Sequence, residues 1–226
     1  MKYLDSDRLL SDKHDILKKI IRKSDKLEEA KKLFLEIHAA LHLSAVSDGK
    51  PNETDTLFAD LTPQEFAVVP FVKGETIAWA VWHLARIEDM TMNILVAGAE
   101  QIFNSEWQRR MNTAFTDTGV AMDGEEIIKL SKELNSAELL AYRNAVGTRT
   151  REIVTELTGE DMKRKVSPDG INKIRSEGGT CTNSEWLLEY WGGKDIAGLL
   201  LMPPTRHLMM HLNDCCKYKQ KIRKEK

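Results

Sequence analysis

The sequence predicts an all-α protein, a four-helix bundle with additional short helices in long connections. Three observations carry this. Apolar residues recur at steps of three and four through several long stretches, explicit helix-start signatures precede them, and no β-hairpin signal, repeat or low-complexity tract intervenes. With 226 residues, 42% apolar and 30% charged, the chain can bury one sizeable core, and a single domain over residues 1–226 is expected.

The elements follow in chain order. "RLLSDKHDILKKII" reads as a short helix within an N-terminal extension, residues 1–24. "DKLE" at 25–28 has capping-box spacing, and Leu27, Ala30, Phe34, Ile37 and Leu41 then mark a first long helix over about 25–46. Gly, Pro, Asn and Asp gather in the loop "SAVSDGKPNETD", after which Thr62, Pro63 and Glu65 open a short helix that ends before Pro70. From Gly74, "ETIAWAVWHLARIEDMTMNILVAG" is apolar over a wide arc, with Trp79, His83, Ile87, Met90 and Ile94 on one stripe, which makes this second long helix central to the bundle. "DGEE" at 123–126 and "NSAE" at 135–138 are two further caps, the second opening a third long helix that runs until Gly159. Turn formers in "SPDG", "EGGT" and "WGGK" make 159–202 an irregular crossover with short helices, and the fourth long helix starts at Pro203 or Pro204 and runs to the end.

Composition excludes several functions. A formal charge of −2 and a pI near 6.3 provide no basic field for nucleic acid, and the locally basic "KYKQKIRKEK" suits a solvated helix C-terminus. No stretch approaches the ~18 apolar residues of a membrane span, and the N-terminus lacks a secretory pattern. Cys181, Cys215 and Cys216 are odd in number and lack C-x-x-C spacing, so a soluble, cytoplasmic protein in a reducing environment is expected. Helical bundles with exposed apolar faces often pair, so a homodimer is part of the expectation.

Histidines carry the chemistry. In "PPTRHLMMHL", His207 and His211 stand four apart on one helix face, close enough for both rings to converge on one ion. Alone, this spacing equally describes two hydrogen-bonded core or surface rings. His83, on the otherwise apolar second helix, is the candidate third ligand. Three neutral imidazoles would leave a coordination position for water or substrate, as in a catalytic rather than a closed structural site.

"WHLARIED" on the second helix, followed much later by "PPTRHLMMHLND" on the last, resembles the DinB-like (DinB/YfiT) superfamily of metalloenzymes. "TDTGVAM", "AVGTRTREIV" and "LLEYWGGKDIAGLLLMPPTRH" resemble one branch of it, so the likeness covers nearly the whole chain. The resemblance implies a bundle holding a divalent metal, often nickel or zinc, through one histidine of the second helix and two of the fourth; these fall on His83, His207 and His211. It also implies reactions such as thiol-dependent transfer, with a low-molecular-weight thiol and a small-molecule substrate.

The residue after His207 is Leu208, so the glutamate base of zincin proteases is missing and peptidase activity is excluded. A metal-dependent transferase or hydrolase is the leading expectation. A non-catalytic metal-binding or interaction bundle is the alternative, distinguished by a closed rather than an accessible site. Around the three histidines, His42 is a candidate ligand or substrate contact, although Leu33, Ile37 and Leu41 define the core stripe of its helix and place His38 and His42 on the flank. Asp214 and Asn213 are candidates for orienting an imidazole, Arg206 for meeting an anionic substrate, and Cys215 for extending the ligand row or serving as a small core residue. Glu88 and Asp89 point away from His83 and are assigned to bundle contacts, and His14 to the surface.

Overall fold

The computed structural model describes residues 4, 7–71 and 74–224. Among these no strand forms; one isolated antiparallel bridge joins Lys165 and Asp195. The fold is an all-α bundle. Its principal helices are α1 (Leu9–Ile20), α2 (Leu27–Leu41), α3 (Ile77–Asp89), α4 (Ser136–Glu156), α5 (Glu185–Gly192) and α6 (Leu208–Lys224). No helix is long and apolar enough to cross a membrane.

Helix α3 is the centre. Every residue from Ile77 to Asp89 is buried, and the chain continues as a buried π-helical stretch, Met90–Val96. It packs against α4 and α6, while α1 lies on α2 and α2 reaches α4 and α6. The predicted stripe on this helix is therefore too narrow: all its faces are covered, including the one with Arg86, Glu88 and Asp89.

Caps explain most starts. Thr62, Pro63 and Glu65 form the capping box the sequence suggests, as do Asp123 and Glu126, and Asn135 accepts from the amides of Ala137 and Glu138 to begin α4. The first long helix differs from expectation. Asp25 lies in a 3-10 turn, Lys26 caps α2 without a side-chain bond, and the helix ends at Leu41 because His42 takes an extended conformation.

The last helical run is also less regular than expected. Residues 196–200 are helical, Met202–His207 form a π-helical turn, and α6 follows directly. Pro203 and Pro204 lack the N–H groups a regular ladder needs there, so the widened turn falls where the prolines stand. Widened turns of this kind frequently occur at functional sites, and this one ends on His207.

Candidate metal centre

His83 is positioned by a loop as much as by its helix. Four consecutive carbonyls of "TDTG" accept from side chains of α3: Thr116 from Arg86 Nε and Nη2, Asp117 from Trp82 Nε1 at 3.0 Å, Thr118 from His83 Nδ1 at 2.8 Å, and Gly119 from Trp79 Nε1 at 2.9 Å. Gly119 makes this possible, because its φ of 73° favours glycine and a Cβ there would stand 3.0 Å from Trp79 Nε1. With Nδ1–H committed to a carbonyl, neutral His83 carries its lone pair on Nε2. Trp79 stacks on the ring at 4.8 Å and 9° between planes, which fixes its tilt.

His207 at the end of the π turn and His211 one turn into α6 bring their rings to the same point. His83 Nε2 and His207 Nε2 lie 3.2 Å apart, and one ligand nitrogen from each of the three rings lies within 4.8 Å of the others. The planes are steeply inclined in every pair, at 67°, 77° and 79°. Two nitrogens bound to one tetrahedral ion at zinc–nitrogen lengths of about 2.0–2.1 Å would be roughly 3.3–3.4 Å apart, so the spacing fits shared ligation.

Electrostatics agree with that use. Burial holds the His83 imidazole at about 3, with nearby His211 adding to the effect and the Thr118 hydrogen bond opposing it. Burial also lowers His207 well below its ordinary value, and lowers His211 against the opposing pull of Glu75 and Asp214. All three rings are neutral near pH 7, as ligation requires. His207 Nδ1 and His211 Nδ1 have no hydrogen-bond partner among the described residues, so His83 is the ring whose tautomer the protein fixes. No fourth His, Cys, Asp or Glu joins the group among those residues.

A second cluster, His38, His42 and Glu88, was not anticipated as a unit. All three are fully buried, contrary to the flank placement of the two histidines. His38 Nε2 donates to one oxygen of Glu88 at 2.9 Å and His42 Nε2 to the other at 3.1 Å. The rings stack at 4.2 Å with only 24° between planes, so their nitrogens approach the carboxylate side by side, and this cluster too keeps its three potential ligand atoms within 4.8 Å of one another. That is the geometry of a two-pronged hydrogen-bond clamp, which ties the end of α2 to α3. Room for His42 comes from Gly147 on α4, where a Cβ would come within 2.5 Å of His42 Nδ1. Burial lowers His38 and takes His42 to about 3, while the two imidazoles hold Glu88 well below the usual carboxylate range despite its burial.

The remaining candidates sit elsewhere. Asp214 pairs with Lys217 at 2.8 Å, and Asn213 donates to the Met209 carbonyl. Arg206 is exposed beside Met209, and Cys215 is fully buried with its thiol pushed up by burial. Asp89 anchors the amides of Ile102 and Phe103 and accepts from Tyr142 and Arg86, a bundle contact as expected. His14 bonds the Leu201 carbonyl at 2.9 Å and is half-buried, not a free surface group.

A cavity of about 290 Å³ reaches His83 and His207; Ile87, Val120, Met202 and the α5 residues Trp186, Tyr190 and Trp191 also line it. Trp186 is 54% and Tyr190 38% exposed, so the cavity extends to the surface. An all-α bundle with three convergent imidazoles beside such a cavity defines a class of helical proteins with a candidate metal centre. Within that class the sequence pattern of the DinB superfamily matches residues 48–215, and the chain belongs to that superfamily. The three-histidine group lies inside the matched span; His38 and His42 lie outside it. No curated protein matches the chain.

Two outcomes follow. Gly119→Ala, which removes no ligand, should loosen the carbonyl row and weaken zinc binding by about 10–100-fold in a competition titration with a chelating dye; unchanged affinity would contradict the positioning role. Near pH 6.5 and below, His38 and His42 take up protons more readily in the unfolded chain than in the folded one, and Glu88 does the same below its ordinary 4.5. Stability of chelator-treated protein should therefore be complete above pH 6.5 and fall steadily on acidification, read as the urea midpoint. A midpoint that holds or rises between pH 6.5 and 4.5 would contradict the neutral clamp.

Proposed function

We propose that the protein is a metal-dependent enzyme that holds one divalent ion, zinc or nickel, on His83, His207 and His211 and transfers a thiol or water to a small electrophilic molecule. The observation that carries this reading is the surface-reaching cavity that meets two of three convergent, neutral imidazoles. A purely structural ion is ordinarily closed off by four protein ligands, whereas the ligand group here has three among the described residues.

When bound, the ion would act as a Lewis acid and make a nucleophile available near neutral pH. The chain's own contribution is placement. Thr118 and Trp79 fix the His83 ring, the proline-widened turn delivers His207, and mostly apolar walls line the approach to these two imidazoles. Nothing resembling a protease base accompanies the pair, since Leu208 follows His207, which favours transfer or simple hydrolysis over peptide cleavage. Free Cys181, Cys215 and Cys216 support a reducing, cytoplasmic setting.

The test is elemental analysis of untagged protein together with consumption of a small thiol, such as cysteine, in the presence of an aryl halide or epoxide. Near-stoichiometric zinc or nickel and thiol transfer should disappear together in His83→Ala and His207→Ala. Metal content or transfer that survives both substitutions would overturn the assignment.

A further inference from the structure

The cavity beside the three histidines has a chemical bias that the ligand group alone does not express. Its lining contains no Lys, Arg, Asp or Glu. The lining residues that carry polar side-chain groups are His83, His207, Tyr190, Trp186 and Trp191, all uncharged; the rest are Ile87, Val120, Leu187, Met202 and Pro203. Lys194, the nearby cation, lies 4.1 Å from the Tyr190 ring centre and is not part of the lining. Arg206, the cation the sequence offers for an anionic substrate, is exposed and also outside the lining.

Helix α5 supplies the second observation. Leu187, Leu188 and Trp191 bury one side of it, yet Trp186 and Tyr190, four residues apart, stay 54% and 38% exposed while lining the cavity. Two large rings kept partly in water on one edge of a concave apolar site form a wall that a flat apolar group would cover. A carboxylate set among these apolar walls would lose hydration without meeting a cationic side chain of the lining, Lys194 being held outside it over the Tyr190 ring.

We infer that this cavity binds the uncharged, ring-bearing apolar body of the substrate, stacked against Trp186 and Tyr190, and excludes carboxylate-bearing groups. A cavity of about 290 Å³ lies near the lower end of the ~300–1,000 Å³ range of small-molecule sites, which suits a single substituted ring. The inference deepens the enzymatic reading, since it names what is brought to the three histidines. A charged low-molecular-weight thiol would then keep its ionic ends outside the cavity.

The test uses chelator-treated full-length protein, so that it stands or falls separately from metal binding. Saturation-transfer NMR titrations compare 3-phenylpropan-1-ol with 3-phenylpropanoate, and wild type with Trp186→Ala and Tyr190→Ala. The alcohol should bind saturably and at least about tenfold more tightly than the carboxylate, and lose about tenfold in affinity in each variant. Equal or tighter binding of the carboxylate, or alcohol binding indifferent to both substitutions, would overturn the inference. Because the metal is absent from the assay, either result leaves the elemental analysis of the three-histidine site to be judged on its own.

Discussion

The structure depends on satisfying the polar groups of one wholly buried helix. Helix α3 takes His83, Arg86, Glu88 and Asp89 out of water within a single two-turn stretch, and isolated charges there would cost several kcal/mol each. They are answered from several elements. The 116–119 loop takes His83 and Arg86, the end of α2 takes Glu88, and Asp89 takes Tyr142 and the amides after the π turn. The surrounding helices and loops are thereby held in register around α3, with hydrogen-bond geometry specifying what apolar packing alone would leave loose.

The same helix presents histidine chemistry of two kinds, and ring orientation separates them. Around His83 the three rings are steeply inclined and one ligand nitrogen of each lies within 4.8 Å of the others. Around Glu88 the two rings are nearly parallel and each meets its own carboxylate oxygen. An ion requires convergence; a carboxylate with two oxygens is satisfied by parallel donors. Both clusters bring three potential ligand atoms within 4.8 Å of one another, so ring orientation and the hydrogen bonds already made to Glu88 are what distinguish them.

Much of this was legible in the sequence. Capping boxes at Thr62 and Asp123 and the Asn135 cap are local, and they appear in the structure as read. The convergence of His83 with His207 and His211 followed from helical spacing joined to a family resemblance. What escaped was long-range. The flank placement of His38 and His42 came from the periodicity of α2 alone, whereas their burial is set by Glu88 on another helix and by the absence of a side chain at Gly147 on a third. The carbonyl row of 116–119 carried a visible signal, the Gly in "TDTG", but its partners lie 30 to 40 residues away. The π turns were hidden because they depend on tertiary packing around α3 and, at Met202–His207, on prolines that equally suit a fresh helix start.

The proposed ion site is the point shared by His83, His207 and His211, and not the cluster around Glu88. Anomalous diffraction from zinc-loaded crystals, recorded above and below the zinc edge, tests it most directly. A single strong peak bonded to His83, His207 and His211 is expected, with none between His38, His42 and Glu88. A peak beside Glu88, or no peak among the three convergent histidines at saturating zinc, would contradict it.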